Sequence, residues 1–453
     1  MPDLRDRLLL ADAFHAPAPD RVETIERLIV AIDGDGVIAA ALRPGEDGYD
    51  DALAAARRDG RLVEWPAGHY LLPGLVDLHV HAPQYPQLGA ALDAPLEVWL
   101  NTYTFPLEAR FADLAFARAV YERLVDDLLA NGTTTALYFA TIHQEATRAL
   151  ADICLAKGQR ALIGRVAMDN PDLCPEFYRD ASAQVSVAET RAFIDYVRAH
   201  PGNRAGRVAP VVTPRFIPAC TDAALAGLGQ LAAECGCAVQ THASESDWEH
   251  GYVLRRHGVS DAASLDRFGL IGRRTVLAHA VHLGGDDMEL VKRRGAGLAH
   301  CPASNAFFAD AVFPLREALA RGLHVGLGTD VSGGPSASLF DSARAAILVS
   351  RLRESGVDAA RSAAERGGVP DARIDHRVAF HLATRGGGAA LDLPIGLFAP
   401  GFKFDALRLD AGAPEGGVRL FPGDDGEAAL QKIVYGATRA NVAGVWVEGQ
   451  AVG

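Results

Sequence analysis

Eight runs of apolar residues typical of buried strands recur along the chain, and segments with helical periodicity separate them. Apolar residues return at the spacing of an amphipathic helix in 114–129 and 225–233, for example. Alternating strand and helix patterns predict parallel strands joined by helices, and eight such units can close into a barrel. The predicted fold class is therefore α/β, with a (β/α)8 barrel of the TIM type. The eight runs are 71–81, 133–139, 160–168, 208–213, 238–242, 275–279, 295–300 and 325–329.

The two ends of the chain carry shorter strand and turn patterns. A strand candidate at 28–32 leads into a turn signal, and short apolar runs return at 406–409 and 445–447. We expect the two ends to pair as a small β-sandwich domain beside the barrel. The glycine-rich patch 385–388 is predicted to be a loop. The predicted division is 1–70 with 401–453 for the small domain, and 71–400 for the barrel.

The charge balance and the absence of certain segments narrow the classes of partner. The chain of 453 residues carries 57 acidic and 44 basic side chains, a formal net charge of −13. This balance argues against nucleic acid or an anionic membrane as a partner, whereas an uncharged nucleobase stays compatible as a small-molecule ligand. The sequence has neither a membrane-length apolar run nor a signal-peptide pattern, and six cysteines are too few for a disulfide scaffold. We expect a cytoplasmic protein with reduced thiols.

Residues with metal-ligand chemistry stand at the ends of four predicted strands. His79 and His81 are two residues apart, so both imidazoles leave the first strand on the same face. In a (β/α)8 barrel, functional groups gather where the strands end. Three imidazoles and a carboxylate suit Zn²⁺ or Fe²⁺ better than Mg²⁺ or Ca²⁺, which prefer oxygen ligands. The later candidates are His242 and Glu245 after strand five, His279 after strand six and Asp330 after strand eight.

Each of these residues, taken alone, also has an ordinary structural explanation. A single histidine at a strand end is usually a hydrogen-bonded polar residue, and His279 could be structural in this sense. Asp330 could cap the following helix, and Glu245 could be a surface acid. The joint placement at four strand ends, in this order, favours a metal site.

The order His-x-His, His, His, Asp over strands one, five, six and eight resembles the amidohydrolase superfamily of metal-dependent hydrolases and deaminases. Binuclear members use a carbamylated lysine on strand four, and residues 208–216 contain no lysine, so the resemblance implies one metal ion. The spacing His242-x-x-Glu245 is typical of the mononuclear deaminases. Among these, the chain resembles the guanine deaminase family. The matching segments are 73–85, 99–106, 131–135, 213–216, 300–305 and 326–334.

This resemblance implies hydrolytic deamination of guanine to xanthine and ammonia. The metal would be one Zn²⁺ ion, with Fe²⁺ as an alternative, and a bound zinc ion lowers the pKa of its water to about 7. Glu245 would pass a proton from that water to the ring nitrogen beside the amino carbon. Asp330 would orient the nucleophile and move a second proton to the leaving amine, while His279 would stabilise the developing oxygen anion. The residues implied as ligands are His79, His81, His242 and Asp330.

The resemblance also implies a purine pocket. In the family, the matching glutamine and arginine contact guanine, which assigns base recognition to Gln84 and Arg215. The guanidinium fork of Arg215 suits a carbonyl oxygen together with a ring nitrogen, although a salt bridge at the barrel mouth is the structural alternative. Phe216 offers the base a stacking face. Further residues expected at the substrate are Trp99, Leu100 and His242.

The residues alone leave other functions open. The same metal residues would serve a deaminase of 8-oxoguanine, a pterin or an s-triazine. A ligand-binding relative that lost catalysis is a different class, and the presence of Glu245 with every metal-site position argues against it. The cytidine deaminase fold is excluded because the chain has no Pro-Cys-x-x-Cys. The resemblance implies a homodimer, and residues 86–105 are expected to form a lid.

Overall fold

The computed structural model describes residues 1–452, and the strands within that range form two sheets. The strands are β1 (Leu8–Ala18), β2 (Arg21–Ile32), β3 (Ile38–Leu42), β4 (Leu62–Glu64), β5 (His69–Pro73), β6 (Leu75–His81), β7 (Thr133–Phe139), β8 (Arg160–Gly164), β9 (Val166–Ala167), β10 (Val208–Pro214), β11 (Ala238–Ala243), β12 (Thr275–His279), β13 (Gly297–His300), β14 (His324–Leu327), β15 (Ala406–Asp410), β16 (Val442–Val447) and β17 (Gln450–Val452).

Helices surround the larger sheet and cover part of the smaller one. The α-helices are α1 (Tyr49–Arg58), α2 (Leu96–Trp99), α3 (Phe105–Ala109), α4 (Leu114–Ala130), α5 (Gln144–Lys157), α6 (Ala183–Ala199), α7 (Asp222–Cys235), α8 (Asp247–His257), α9 (Asp261–Arg267), α10 (Gly285–Arg294), α11 (Pro302–Ser304), α12 (Leu315–Ala320), α13 (Leu339–Ser355), α14 (His376–His381), α15 (Gly387–Ala390) and α16 (Gly426–Gly436). Among residues 1–452, none of the helices has the length and apolarity needed to cross a bilayer.

The larger sheet is a nearly closed parallel barrel. Its strands follow the order β6, β7, β8, β10, β11, β12, β13 and β14, and β9 pairs beside β10. The last strand returns to the first through main-chain hydrogen bonds, from His81 N to Val331 O (2.8 Å) and from Asp330 N to His79 O (2.9 Å). The expected (β/α)8 fold is confirmed. The seam that closes the barrel therefore passes through residues with predicted metal roles.

Three of the helices that return the chain to the barrel end in the same way. Gly158, Gly236 and Gly295 follow α5, α7 and α10 with φ of 77°, 58° and 72°. Glycine adopts this left-handed conformation without a side-chain penalty, so the chain reverses sharply and a strand begins two residues later. At the other end, Ser182 and Thr221 begin α6 and α7 with side-chain oxygens that accept backbone N–H groups.

The second sheet is curled and is built from both ends of the chain. Its strands run in the order β17, β16, β15, β5, β1, β2 and β3, with β4 paired to β1. β5 pairs antiparallel with β15, which brings Pro73 beside Ala406. Gly74 alone separates β5 from β6, so the sheet ends where the barrel begins. The division at 70/71 and 400/401 stays a prediction.

A buried ion pair joins the two sheets. Arg160, the first residue of β8, donates from Nε and Nη2 to the two carboxylate oxygens of Asp405, each at 3.1 Å. Arg160 Nη2 also donates to Glu448 Oε1 at 3.2 Å. Both partners of the bidentate pair are buried, so its planar geometry fixes how the small sheet is oriented on the barrel.

The prediction of a loop at 385–388 is wrong. The chain stays helical there, through a π-helical turn at Leu382–Gly386 that leads directly into α15. A Cβ atom on Gly387 would lie 2.7 Å from Val76 Cβ in β6, which is closer than real side chains approach. The glycines here allow a helix to pack tightly on the barrel, and a sequence pattern cannot distinguish this use from a turn.

Candidate active site

The ends of four barrel strands bring the predicted metal residues to one place. His79 and His81 lie on β6, His242 on β11 and His279 on β12, while Asp330 follows β14 by three residues. All five side chains are buried. The barrel thus converts positions spread over most of the sequence into a single cluster at the carboxyl ends of its strands.

The distances within this cluster are short. His81 Nε2 lies 2.9 Å from His242 Nε2. Asp330 Oδ1 lies 3.3 Å from His79 Nε2 and 3.7 Å from His81 Nε2, and its Oδ2 lies 3.9 Å from His279 Nε2. Two triads, His79 with His242 and His279, and His79 with His81 and Asp330, each place their donor atoms within 4.8 Å of one another.

The donor atoms fit a divalent cation. Both ring nitrogens of His79, Nδ1 of His81 and Nε2 of His279 are buried without a hydrogen-bond partner, which is costly unless something else satisfies them. Burial, together with the neighbouring imidazole of His79, holds the pKa of His81 and of His242 well below the usual range. These histidines are therefore neutral, as metal ligands must be.

Further groups orient these ligands. His242 Nδ1 donates to the carbonyl oxygen of Arg215 at 2.6 Å, so its Nε2 is the unprotonated nitrogen and faces the cluster. His279 Nδ1 likewise donates to Asn305 Oδ1 at 2.9 Å. Asp77 accepts from the backbone N of His79 (3.2 Å) and of Thr329 (3.0 Å), which ties the first strand to the segment that carries Asp330.

The backbone is strained where three of the strands end. Ser244, His279, Ala280 and Asp330 have φ of 51°, 69°, 54° and 52°. Residues with a side chain adopt this left-handed region rarely, and such conformations concentrate at functional sites. In this chain they aim His279 and Asp330 into the cluster.

Glu245 lies beside the cluster on the segment after β11. Its Oε1 is 3.6 Å from His279 Nε2, and its side chain is 9% exposed. Burial and the nearby carboxylate of Asp330 raise the pKa of Glu245 to about 8. Glu249 on α8 holds the segment in place, because its Oε2 accepts the backbone N–H of Glu245 at 2.7 Å. An acid in this setting can carry a proton at neutral pH and give it up to a nearby base.

A cavity opens directly onto Glu245 and the proposed metal-ligand cluster. Every residue predicted to bind the purine lines it, and His79 and His279 adjoin these residues without being among those that line the cavity. The lining residues are His81, Gln84, Leu96, Trp99, Leu100, Arg215, Phe216, His242, Glu245, Ser304, Phe308, Asp330 and Gly333. Leu96, Trp99 and Leu100 come from the segment 86–105, whose role as a lid stays a prediction.

Arg215 lines the cavity, and it also forms a salt bridge. Such a salt bridge was the structural alternative to base recognition for this residue. Arg215 donates to both carboxylate oxygens of Glu108, at 2.7 and 3.1 Å, and its guanidinium lies 4.9 Å from the ring centre of Phe105. Glu108 also accepts from Gln84 Nε2 at 2.8 Å. The sequence reasoning missed Glu108, Asn305, Asp77 and Glu249. Glu108 lies two residues beyond the matching segment 99–106, so only its nearness to that segment could have drawn attention to it.

The sequence predicts no role for two further residues near the site. His143 lies outside the cavity, with its ring 5.8 Å from that of Tyr178. Cys301 is buried next to His279 and Asp330, and burial followed by the neighbouring acids raises the pKa of its thiol well above the usual range. A thiol in this state is a poor nucleophile.

Comparison with known proteins agrees with the fold and the site. The model of the amidohydrolase family matches residues 70–452. The chain therefore belongs to the amidohydrolase family. Proteins similar to this chain include guanine deaminases, as the following comparisons show.

A probable guanine deaminase of Schizosaccharomyces pombe is 40% identical over 388 residues, which cover 84% of this chain and 71% of that protein. The guanine deaminase of Dictyostelium discoideum is 33% identical over 464 residues, covering 98% of both chains. A crystal structure of guanine deaminase from C. acetobutylicum with bound guanine superimposes with a TM-score of 0.87 at 29% identity, covering 99% of this chain and 100% of the other.

Proposed function

We propose that this protein is a guanine deaminase that hydrolyses guanine to xanthine and ammonia. The observation that carries the proposal is the single cavity in which Gln84 and Arg215 face Glu245 and the His–Asp cluster. The similarity to guanine deaminases over 84–98% of the chain supports the same substrate.

We assign one metal ion to His79, His81, His242 and Asp330, with zinc as the metal and Fe²⁺ as the alternative. Three neutral nitrogens and one carboxylate are a donor set that suits either ion. β10 contributes no lysine, which supports one ion rather than two. When bound, such an ion supplies a water molecule that is acidic enough to act at neutral pH.

Gln84 and Arg215 bind the purine edge that lies away from the reacting carbon. Arg215 donates to a carbonyl oxygen and a ring nitrogen, which is the pairing by which arginine recognises guanine elsewhere. Phe216 and Trp99 form apolar walls against the faces of the base, and Phe216 stands 6.2 Å from the ring of His242. These contacts fix the amino-bearing carbon next to Glu245 and Asp330.

Glu245 and Asp330 move the two protons that the reaction requires. Glu245 takes a proton from the attacking water and delivers it to the ring nitrogen beside the amino carbon, which makes that carbon electrophilic. Asp330 takes the second proton and gives it to the amine, which leaves as ammonia. His279 hydrogen-bonds the oxygen that becomes the new carbonyl of xanthine.

The first experiment is ammonia release from guanine by the metal-loaded protein, with xanthine identified by mass. Adenine, cytosine, 8-oxoguanine, pterin and melamine run in parallel. Guanine turnover far above the others is expected. Turnover of another amine would keep the chemistry and overturn the substrate, and no turnover with metal bound would overturn the enzyme assignment for these substrates.

Three further features belong to the same proposal: a homodimer, a cytoplasmic location and a role in purine catabolism. The family resemblance supports the homodimer, which light scattering of the purified protein tests. None of the six cysteines within residues 1–452 forms a disulfide, which is typical of a reducing compartment. The catabolic role follows from the xanthine that the proposed reaction forms.

A further inference from the structure

Glu108 on α3 is a fully buried carboxylate behind the wall of the cavity. Its exposure is 0%, and it is not among the residues that line the cavity. An ionised carboxylate in such a place is strongly disfavoured unless donors surround it. Three donor atoms do so here: Arg215 Nη1, Arg215 Nη2 and Gln84 Nε2, at 2.7, 3.1 and 2.8 Å.

The carboxylate selects one orientation of the Gln84 amide. A carboxylate can only accept hydrogen bonds, so the Nε2 end of Gln84 must face Glu108. The other end, Oε1, accepts from Ser332 N at 3.3 Å. The second lone pair of that oxygen remains available for an N–H group of the base.

The carboxylate also fixes and neutralises Arg215. The bidentate pair uses one N–H of each terminal nitrogen and sets the plane of the guanidinium. The remaining N–H groups are left for acceptor atoms of the base. Because the positive charge of Arg215 is paired with the negative charge of Glu108, the recognition side of the cavity is close to neutral.

We propose that Glu108 is the positioning residue that sets the purine specificity of this site, by holding Gln84 as an acceptor and Arg215 as a donor and by cancelling the charge of Arg215. The cavity then takes a neutral base and discriminates against an anionic one. Glu108 does not touch the substrate and acts only through its two partners. This inference rests on the proposed function for the identity of the base.

A double-mutant cycle tests whether Glu108 acts through Arg215. Glu108→Gln, Arg215→Met and the double variant are compared by kcat and KM for guanine, with metal content measured for each. Glu108→Gln is expected to lower kcat/KM by at least about 30-fold, mostly through KM, because a buried charged partner is lost. The double variant should be no more than about threefold worse than Arg215→Met alone. If the two single losses in kcat/KM multiply in the double variant, Glu108 and Arg215 act independently and the proposal is overturned.

Binding of an anionic purine tests the charge cancellation. The urate anion is used as an inhibitor or, without turnover, as a ligand in calorimetry. Glu108→Gln should bind urate at least about tenfold more tightly than the unmodified protein, since it leaves Arg215 as an unpaired cation. Glu108→Asp retains the charge and should leave urate affinity unchanged while KM for guanine rises. Equal urate affinity in all three proteins would contradict the proposal.

Asp405→Asn is the matched control, because Asp405 also forms a buried bidentate pair with an arginine, Arg160, and that pair lies between the barrel and the small sheet. It should lower the melting temperature and leave KM and urate affinity unchanged. The urate measurement does not require turnover. A protein inactive on guanine would therefore overturn the proposed function, while urate binding alone would still decide the role of Glu108.

Discussion

Replacing Glu245 with glutamine should stabilise the metal-free protein at alkaline pH, and it should slow turnover by the metal-loaded protein. The pKa of Glu245 rises from 4.5 to about 8 because of burial and the carboxylate of Asp330. The unfolded chain ionises this group near pH 4.5, whereas the folded protein resists ionisation until about pH 8. The folded state is therefore progressively penalised as the pH rises through this window, and glutamine, which cannot ionise, removes the penalty.

The magnitude follows from the size of the shift. With about 1.4 kcal/mol per pKa unit, the penalty is about 1 kcal/mol at pH 5 and about 5 kcal/mol at pH 9. At about 2.1 cal/mol/K of unfolding entropy per residue, the difference of about 4 kcal/mol corresponds to about 4 °C for this chain. Any constant cost of placing an amide in the site cancels when the two pH values are compared.

Thermal melting of chelator-treated protein at pH 5 and pH 9 measures this effect. The melting temperature of Glu245→Gln minus that of the unmodified protein should increase by about 4 °C between the two pH values. The exposed Glu122 on α4 provides the control, and Glu122→Gln should show no pH-dependent difference. If the melting temperature of Glu245→Gln differs from that of the unmodified protein by the same amount at pH 5 and at pH 9, the reasoning is refuted. The metal-loaded variant should lose about 10²- to 10⁴-fold in kcat as the proton carrier disappears.

Other consequences can be measured directly. Chelation should remove guanine turnover and lower the melting temperature, and stoichiometric Zn²⁺ should restore both, because buried imidazoles lose their partner; full activity after complete metal removal would contradict the site. Arg215→Met should raise KM for guanine more than it lowers kcat, and an equal loss with every purine tested would show that it does not read the base. Gly387→Ala should destabilise the protein by about 1–3 kcal/mol in denaturant titration without changing KM, since its Cβ would meet Val76; an unchanged midpoint would mean that α15 moves away freely.

The barrel was predictable because a strand that is buried on both faces has a nearly continuous apolar run, and helices with their own periodicity separate these runs. β7 spans Thr133–Phe139 and β12 spans Thr275–His279, as predicted. The patch at 385–388 was not predictable, because glycine permits both a turn and a close helix contact. Which of these applies depends on Val76, which is distant in sequence.

The candidate site also contains residues that could be predicted from the sequence and residues that could not. His79 and His81 could be found because strand alternation places them together, and the other ligands could be found because barrel strands end on one face. Glu108 could not be found, because its importance comes from Arg215 and Gln84, which approach it only in three dimensions. From sequence alone, a carboxylate on a short helix is expected to lie at the surface, whereas Glu108 is 0% exposed.

We expect the seam of the barrel to set when the proposed metal ion can be captured during synthesis. Asp77 and Thr329 are hydrogen-bonded across 252 residues, and the proposed ligands His79 and Asp330 flank that contact. A nascent chain that has not yet released Asp330 from the ribosome holds only part of the ligand set, and closing so large a loop is a late event in folding. Ion uptake is thus coupled to completion of the barrel. A shortened chain that ends before β14 cannot assemble the site, which makes retained metal a simple marker of full-length, correctly folded protein.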